Sequence, residues 1–207
     1  NGKVRVAHVV CVLPPYGGGI GIVAHSYADQ LFERGHDIVV FVPAGKKDLA
    51  KEKRYTVKQL RPLLKSGHAA LLPQLFWRLW SFDILHLHYP FFGASLFVLL
   101  VKLLKGKKTV LVTNYHMDVN LPGIKGIYAK FCRKYLLPWL LKYSDKIIVS
   151  SMDYLENSEI QDYYFANKAK FGELPFGAPR KYSPTPKDVE LLKKYHLAET
   201  DKVVLFV

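Results

Sequence analysis

Residues 4–13 (VRVAHVVCVL) form a nearly unbroken apolar run that ends in Pro14, Pro15, Tyr16, Gly17, Gly18 and Gly19. After it, Ile20, Val23, Tyr27 and Leu31 recur at near-helical spacing. A strand that is apolar at consecutive positions is buried on both faces, the condition of a strand inside a parallel sheet. A parallel partner is reached only through a crossover, usually a helix. Gly35 follows the helical stretch, where a residue free to adopt positive φ ends a helix, and IVVFV at 38–42 reads as the next strand.

The same unit recurs. ILHLH at 84–88 precedes a helical stretch at 94–104, and TVLVT at 109–113 precedes a long helix at 126–143 that Pro138 should bend. KIIVS at 146–150 leads to a short helix after Met152, and residues 171–174 form a weak strand before the turn at 175–179. Strands alternating with helices predict an α/β, Rossmann-like parallel sheet with helices on both faces. A charged helix is expected over 188–196 and a further buried strand, KVVLFV, over 202–207.

Segment 46–82 breaks this rhythm. It begins with basic residues, among them Lys51, Lys53 and Arg54, and ends in Leu71, Leu72, Leu75, Phe76, Trp77, Leu79 and Trp80. It reads as an excursion off the sheet ending in one helix. At 100° per residue Leu72, Leu75, Phe76 and Leu79 share a face. That face suits either a membrane interface or packing on the sheet; the basic patch as a whole is expected to face an anionic membrane.

The chain carries 30 Lys and Arg against 17 Asp and Glu, an excess that calls for an acidic partner. The basic residues are scattered without a nucleic-acid reading motif, so nucleic acid is not expected as a partner. Cys11 and Cys132 form no C-x-x-C pair, which speaks against a disulfide or zinc framework and suits a reducing cytoplasmic setting. No secretory signal is recognisable, and no apolar run reaches the length of a membrane span; 91–104 is interrupted by Lys102.

Three groups of residues carry chemistry. The glycines between the first strand and helix let backbone N–H groups approach a phosphate at a helix N-terminus, although the spacing is not G-x-G-x-x-G and a ligand-free turn would use the same residues. His86 and His88 share one face of a strand; with His116 and Asp118 they could be metal ligands, but polar residues at the ends of parallel strands also line ligand crevices, and no metal is expected. His116 follows TVLVT directly, at the same sheet edge as the glycine turn, where it could bond a sugar hydroxyl or serve only as a capping histidine.

Five ordered segments resemble glycosyltransferase family 4: PPYGGGI at 14–20, GHDIVV at 35–40, FDILHLH at 82–88, VTNYH at 112–116 and LPFG at 174–177. The resemblance implies the N-terminal half of a GT-B fold, two Rossmann-like domains facing across a cleft. It also implies transfer of a sugar from a nucleotide-sugar donor, with retention and without a metal or other cofactor. His116 is then the residue at the reacting centre, Gly18 and Gly19 approach the donor diphosphate, and Tyr16, His88, Tyr89 and Asp118 lie on the acceptor side. Residues 1–179 would be the acceptor-binding domain. Residues 180–207 would be a linker helix and the first strand of a truncated nucleotide-sugar-binding domain, leaving the fragment inactive alone. Gly177 is followed by Ala178 and Pro179, where the family usually has a hydrophobic residue and then Asp. A sugar or lipid-linked acceptor, an anionic membrane surface and a peripheral position on the inner face of the membrane complete the expectation. The alternative is a basic membrane-surface or polyanion-binding module without catalysis. A nucleotide-dependent dehydrogenase or epimerase is opposed by the missing fingerprint and by Pro43, Ala44 and Gly45 where an acidic residue would stand.

Overall fold

The computed structural model describes residues 2–16, 18–45, 49–50, 53–175, 188–198 and 200–202. The chain divides into two compact units, 1–176 and 177–207. The boundary expected at 179/180 and most of the strand expected at 202–207 lie outside the described residues.

The first unit begins β1 (Arg5–Val9), α1 (Gly19–Glu33), β2 (Asp37–Pro43), β3 (Thr56–Leu60), β4 (Leu64–Ser66), β5 (Ala69–Leu71), α2 (Leu75–Arg78) and β6 (Ile84–Tyr89). It continues α3 (Ser95–Lys105), β7 (Val110–Tyr115), α4 (Gly123–Phe131), α5 (Leu137–Tyr143), β8 (Lys146–Val149), α6 (Met152–Glu156), α7 (Gln161–Ala166) and β9 (Phe171–Glu173). Seven strands form one parallel sheet in the order β3-β2-β1-β6-β7-β8-β9, and β4 and β5 make a separate antiparallel pair. The α/β, Rossmann-like reading therefore holds.

The period-2 geometry of the strands divides the core. Ala7 and Val9 of β1 join Leu85, Leu87 and Leu111 in one buried cluster, whereas Val6 and Val10 face Ala24 and Ala28 of α1 in another. Helix α1 ends as its sequence suggests, with Gly35 at φ +88°. In the long helix a π-helical turn over Cys132–Leu136 separates α4 from α5, with Pro138 in the first turn of α5. Proline has no N–H for the carbonyl one turn back, so the break falls just before it.

Segment 46–82 departs from expectation. It contributes β3, an edge strand whose Val57 and Leu60 are buried while Lys58 faces out, and then the small β4–β5 hairpin. Alternating polar residues on a half-exposed edge concealed the strand. The expected amphipathic helix shrinks to the four residues of α2. Leu72, Leu75 and Leu79 are fully buried and Phe76 packs against the same core, so this face meets the sheet, while Trp77 and Trp80 stay exposed. The basic patch is also partly neutralised, because Arg54 pairs with Asp29 at 2.6 Å and Glu33 at 2.7 Å; Lys51 lies outside the described residues.

Lys102, which interrupts the apolar run of α3, is buried and makes a 2.6 Å ion pair with Asp145. No helix among the described residues is long and apolar enough to cross a membrane. Cys11 and Cys132 are both buried and free. In the second unit, α8 (Val189–Lys194) is capped by Asp188, whose side chain accepts from the backbone N–H groups of Glu190 and Leu191.

Candidate functional site

The chain runs outward from β1 to β2 and β3, then returns to place β6 on the other side of β1. This reversal makes the carboxyl ends of β1 and β6 a topological switch point, where open α/β sheets form their ligand crevice. β7 lies next to β6, so the segments after β1, β6 and β7 meet at one edge.

The segment after β1 carries Tyr16, half-buried against both core clusters, and the exposed Gly18 and Gly19. Gly18 caps α1 at φ +135°, a conformation that favours glycine, and no side chain among the described residues caps the helix. The first turn holds no acidic residue, so the N-terminal N–H groups and the positive end of the helix dipole are not offset there. Gly21 is buried against the end of the β1 segment: a Cβ would lie 2.8 Å from the Val12 carbonyl oxygen.

Beneath this turn lies a cluster that the sequence only partly disclosed. The parallel register sets His8 of β1 beside His86 of β6, and strand alternation keeps His88 on the same face. His8 Nδ1 is 3.1 Å from His88 Nε2, His88 Nδ1 is 3.1 Å from His116 Nε2, and Asn114 Nδ2 is 3.2 Å from the same His116 nitrogen. Tyr27 of α1 covers the cluster, its ring 5.9 Å from that of His86. His8 Nε2, His86 Nε2, Tyr27 Oη and Asn114 Oδ1 are buried without a hydrogen-bond partner among the described residues. His8, Tyr27 and Asn114 were missed at the sequence level; a lone histidine inside a Val-rich buried run was the available signal.

Burial depresses the basicity of every ring. His8 is held at about 3 and His116 at about 4, while His86 and His88 fall well below the usual histidine range, with neighbouring imidazoles adding to the desolvation. All four are therefore neutral near pH 7, and each N–H···N contact needs one donor and one acceptor. If the protons run from His8 outward, His8 Nδ1–H donates to His88, His88 Nδ1–H donates to His116, and the unpaired His8 Nε2 is an empty acceptor. The opposite polarity would strand a buried N–H on His8, the costlier defect. The outward polarity leaves His116 with its proton on Nδ1.

Ring nitrogens of His8, His86 and His88 lie within 4.8 Å of one another, and neutral imidazoles are the metal-binding form. Two of the three rings, His8 and His88, are already joined to each other by a hydrogen bond, however. The His86 and His88 rings also stack 4.6 Å apart at 13°. His8, His88 and His116 thus form a hydrogen-bonded chain.

The other site residues are placed as follows. His116 is half-buried at the end of β7, its backbone N–H donating to Tyr89 O at 3.0 Å. His88 and Tyr89 are buried, Tyr89 stacking on Tyr115 at 5.4 Å, so both underlie the crevice and do not line it. Asp118 accepts from the Tyr115 hydroxyl and from the Glu159 backbone N–H, and its own N–H donates to the Tyr154 hydroxyl. Its carboxylate ties the loop after β7 to the α6–α7 region.

Comparison with known proteins agrees with this architecture. By sequence alone, no curated protein matches the chain. Among solved structures, the catalytic domain of starch synthase IV from Arabidopsis thaliana, bound to ADP and acarbose, aligns with a TM-score of 0.62 at 12% identity. That alignment covers 97% of this chain and 61% of that one. A glycosyltransferase from Rickettsia africae aligns at 0.59 and 18% identity, over 97% and 51% of the two chains. HepE from Anabaena, in complex with UDP-glucose, aligns at 0.59 and 13% identity, over 94% and 50%. The chain thus has the fold of one half of GT-B glycosyltransferases and spans about half to three-fifths of the length of these structures. The sequence pattern of Glycosyltransferase Family 4 matches residues 17–159, from the glycine turn through the His86–His88 strand and His116 to the loop before α7, and the chain belongs to that family.

Proposed function

We propose that this chain is the acceptor-facing domain of an enzyme that moves a hexose from a nucleotide-sugar donor to a sugar or lipid-linked acceptor, with retention at the anomeric carbon. The observation that supports this most is the meeting, at one switch point, of an uncapped helix N-terminus and a neutral histidine held by a hydrogen-bonded chain.

In this reading the backbone N–H groups at Gly18 and Gly19 meet the donor diphosphate, whose charge suits the positive end of α1. Burial lowers the pKa of His116 to about 4, so the ring is neutral near pH 7 and bonds a sugar hydroxyl or stabilises developing charge without adding a fixed charge of its own. Tyr16 flanks the crevice on the acceptor side. His88, Tyr89 and Asp118 act on the acceptor indirectly, since the first two are buried and the third is tied down by Tyr115 and Glu159. The leaving diphosphate is neutralised by the helix terminus and by a second, nucleotide-binding domain, with no cofactor besides the donor. The setting is cytoplasmic, where nucleotide sugars and reduced cysteines coexist.

Two measurements test the proposal. Calorimetry with a panel of nucleotide sugars should find only weak binding to these 207 residues and no transfer by them; micromolar affinity would show that the donor site is complete here. With an enzyme that includes a second domain, proton NMR of the first-formed product should show the donor's anomeric configuration, and inversion would refute the retaining assignment.

A further inference from the structure

The helical segment 123–143 leaves a continuous apolar face uncovered. Ile124 is 85% exposed, Ile127 69%, Phe131 57% and Trp139 51%, with Tyr128 and Tyr135 also exposed. Steps of three and four residues put these six side chains in one stripe along the helix. The inward face, with Gly126, Ala129, Cys132, Leu137, Leu140 and Leu141, is buried. Scattered exposed apolar residues are ordinary, but a contiguous stripe marks an interaction surface.

The charges beside the stripe indicate what covers it. Residues 123–143 contain Lys125, Lys130, Arg133, Lys134 and Lys142 and no acidic residue. At 100° per residue, Lys125 lies on one flank of the stripe, and Lys130 and Lys134 on the other. Arg133 pairs with Glu159, while among the described residues no carboxylate lies within ion-pair distance of the four lysines. Lys134 sits over the Tyr135 ring and Lys142 over Trp139, at 5.3 and 5.5 Å. Aliphatic and aromatic side chains in the centre, with amines at the margins, match the boundary between acyl chains and anionic headgroups. A second copy of the chain would bring these lysines against their own kind, and a polynucleotide would leave Ile124 and Ile127 without an apolar partner.

We infer that the α4–α5 face docks this protein on an anionic lipid bilayer. The exposed Met117 and Leu121 continue the apolar path back toward His116, so the docked bilayer lies beside the loop that carries the crevice histidine. The surface is distinct from segment 46–82, whose Leu72, Leu75 and Leu79 are buried in the core. It stands on exposure and charge alone, independently of the transferase reading.

Flotation of the full chain with vesicles, without any sugar nucleotide, tests the inference. It should bind vesicles of equal parts phosphatidylglycerol and phosphatidylcholine, bind pure phosphatidylcholine much less, and be released as salt shortens the Debye length to about 8 Å and below. Lys125→Glu and Lys130→Glu should each weaken binding by at least about fivefold, the factor corresponding to about 1 kcal/mol per surface charge. Ile127→Asp and Phe131→Asp should abolish it, with melting temperatures unchanged because both side chains are exposed. Lys53→Glu should leave binding intact. Failure of the unmodified chain to float with anionic vesicles at low salt would overturn the inference. So would binding that survives the stripe variants but is lost with Lys53→Glu, or a dimer in solution that Phe131→Asp dissociates.

Discussion

His88 bridges His8 and His116 by 3.1 Å contacts at its two ring nitrogens, so a fully buried imidazole orients the histidine at the crevice. The consequence is kinetic. In the active enzyme, His116→Ala should reduce kcat by roughly a hundredfold or more, the scale of losing one preorganised donor, while the fold survives because His116 is only half-buried. Near-normal turnover would return His116 to a packing role.

His88→Leu tests the chain itself. It keeps the apolar volume but removes both contacts, freeing the His116 ring to turn and change tautomer. We expect kcat to fall by about ten- to a hundredfold, as small misplacements do, with KM for the donor nearly unchanged. His88→Asn, whose amide can still donate toward His116, should recover part of the loss. A loss that simply tracks reduced stability, with no recovery by Asn, would reduce His88 to a core residue.

The buried rings also make stability depend on pH, and the sign follows from the direction of their shifts. The folded state holds His8 at about 3 and His116 at about 4, with His86 and His88 also lowered, against 6.5 unfolded. Below 6.5 the unfolded chain therefore binds more protons, and stability falls on acidification until the folded values are reached. Each ring contributes up to about 1.4 kcal/mol per pH unit in that window. Denaturant melts between pH 7.5 and pH 5 should show the decline, and His8→Gln should make it shallower by about one ring's share; a flat profile would mean the rings are hydrated.

Lys102 offers a test of the sheet's other end. Its ammonium donates to Asp145 at 2.6 Å and to the carbonyls of Thr109 and Gly106 at 2.7 and 3.2 Å, while Asp145 also accepts from Leu111 N–H. Lys102→Ala removes the cation and opens a void. It should cost about 3 kcal/mol, at the low end for a buried pair because Asp145 is half-exposed. Lys102→Met, which fills the volume, should cost less. Chemical denaturation of the two variants measures the difference.

Gly21→Ala should destabilise by about 1–3 kcal/mol, because the new methyl would meet the Val12 carbonyl and push α1 off β1. The same shift would displace the Gly18–Gly19 turn, so donor affinity in the active enzyme should fall with stability. An alanine variant as stable as the parent would contradict this close approach.

Much of the molecule was legible from local patterns. Outside segment 46–82, the order of the sheet strands and their main crossover helices, the end of α1 at Gly35, the break before Pro138 and the placing of His116 at a strand end all follow from periodicity and turn chemistry. These properties act over a few residues and are carried by the sequence itself. Only the tertiary structure decided which strands are neighbours, because crossover direction depends on the packing of the whole sheet. That decision put His8 against His86 and His88, and so made a chain out of histidines 80 residues apart. It also decided two amphipathic segments in opposite ways. The apolar face at Leu72, Leu75 and Leu79 is fully buried, whereas the stripe from Ile124 to Trp139 is left outside. The two have the same helical spacing. A hydrophobic period records that one side differs from the other, and which side meets water is settled by what packs against it.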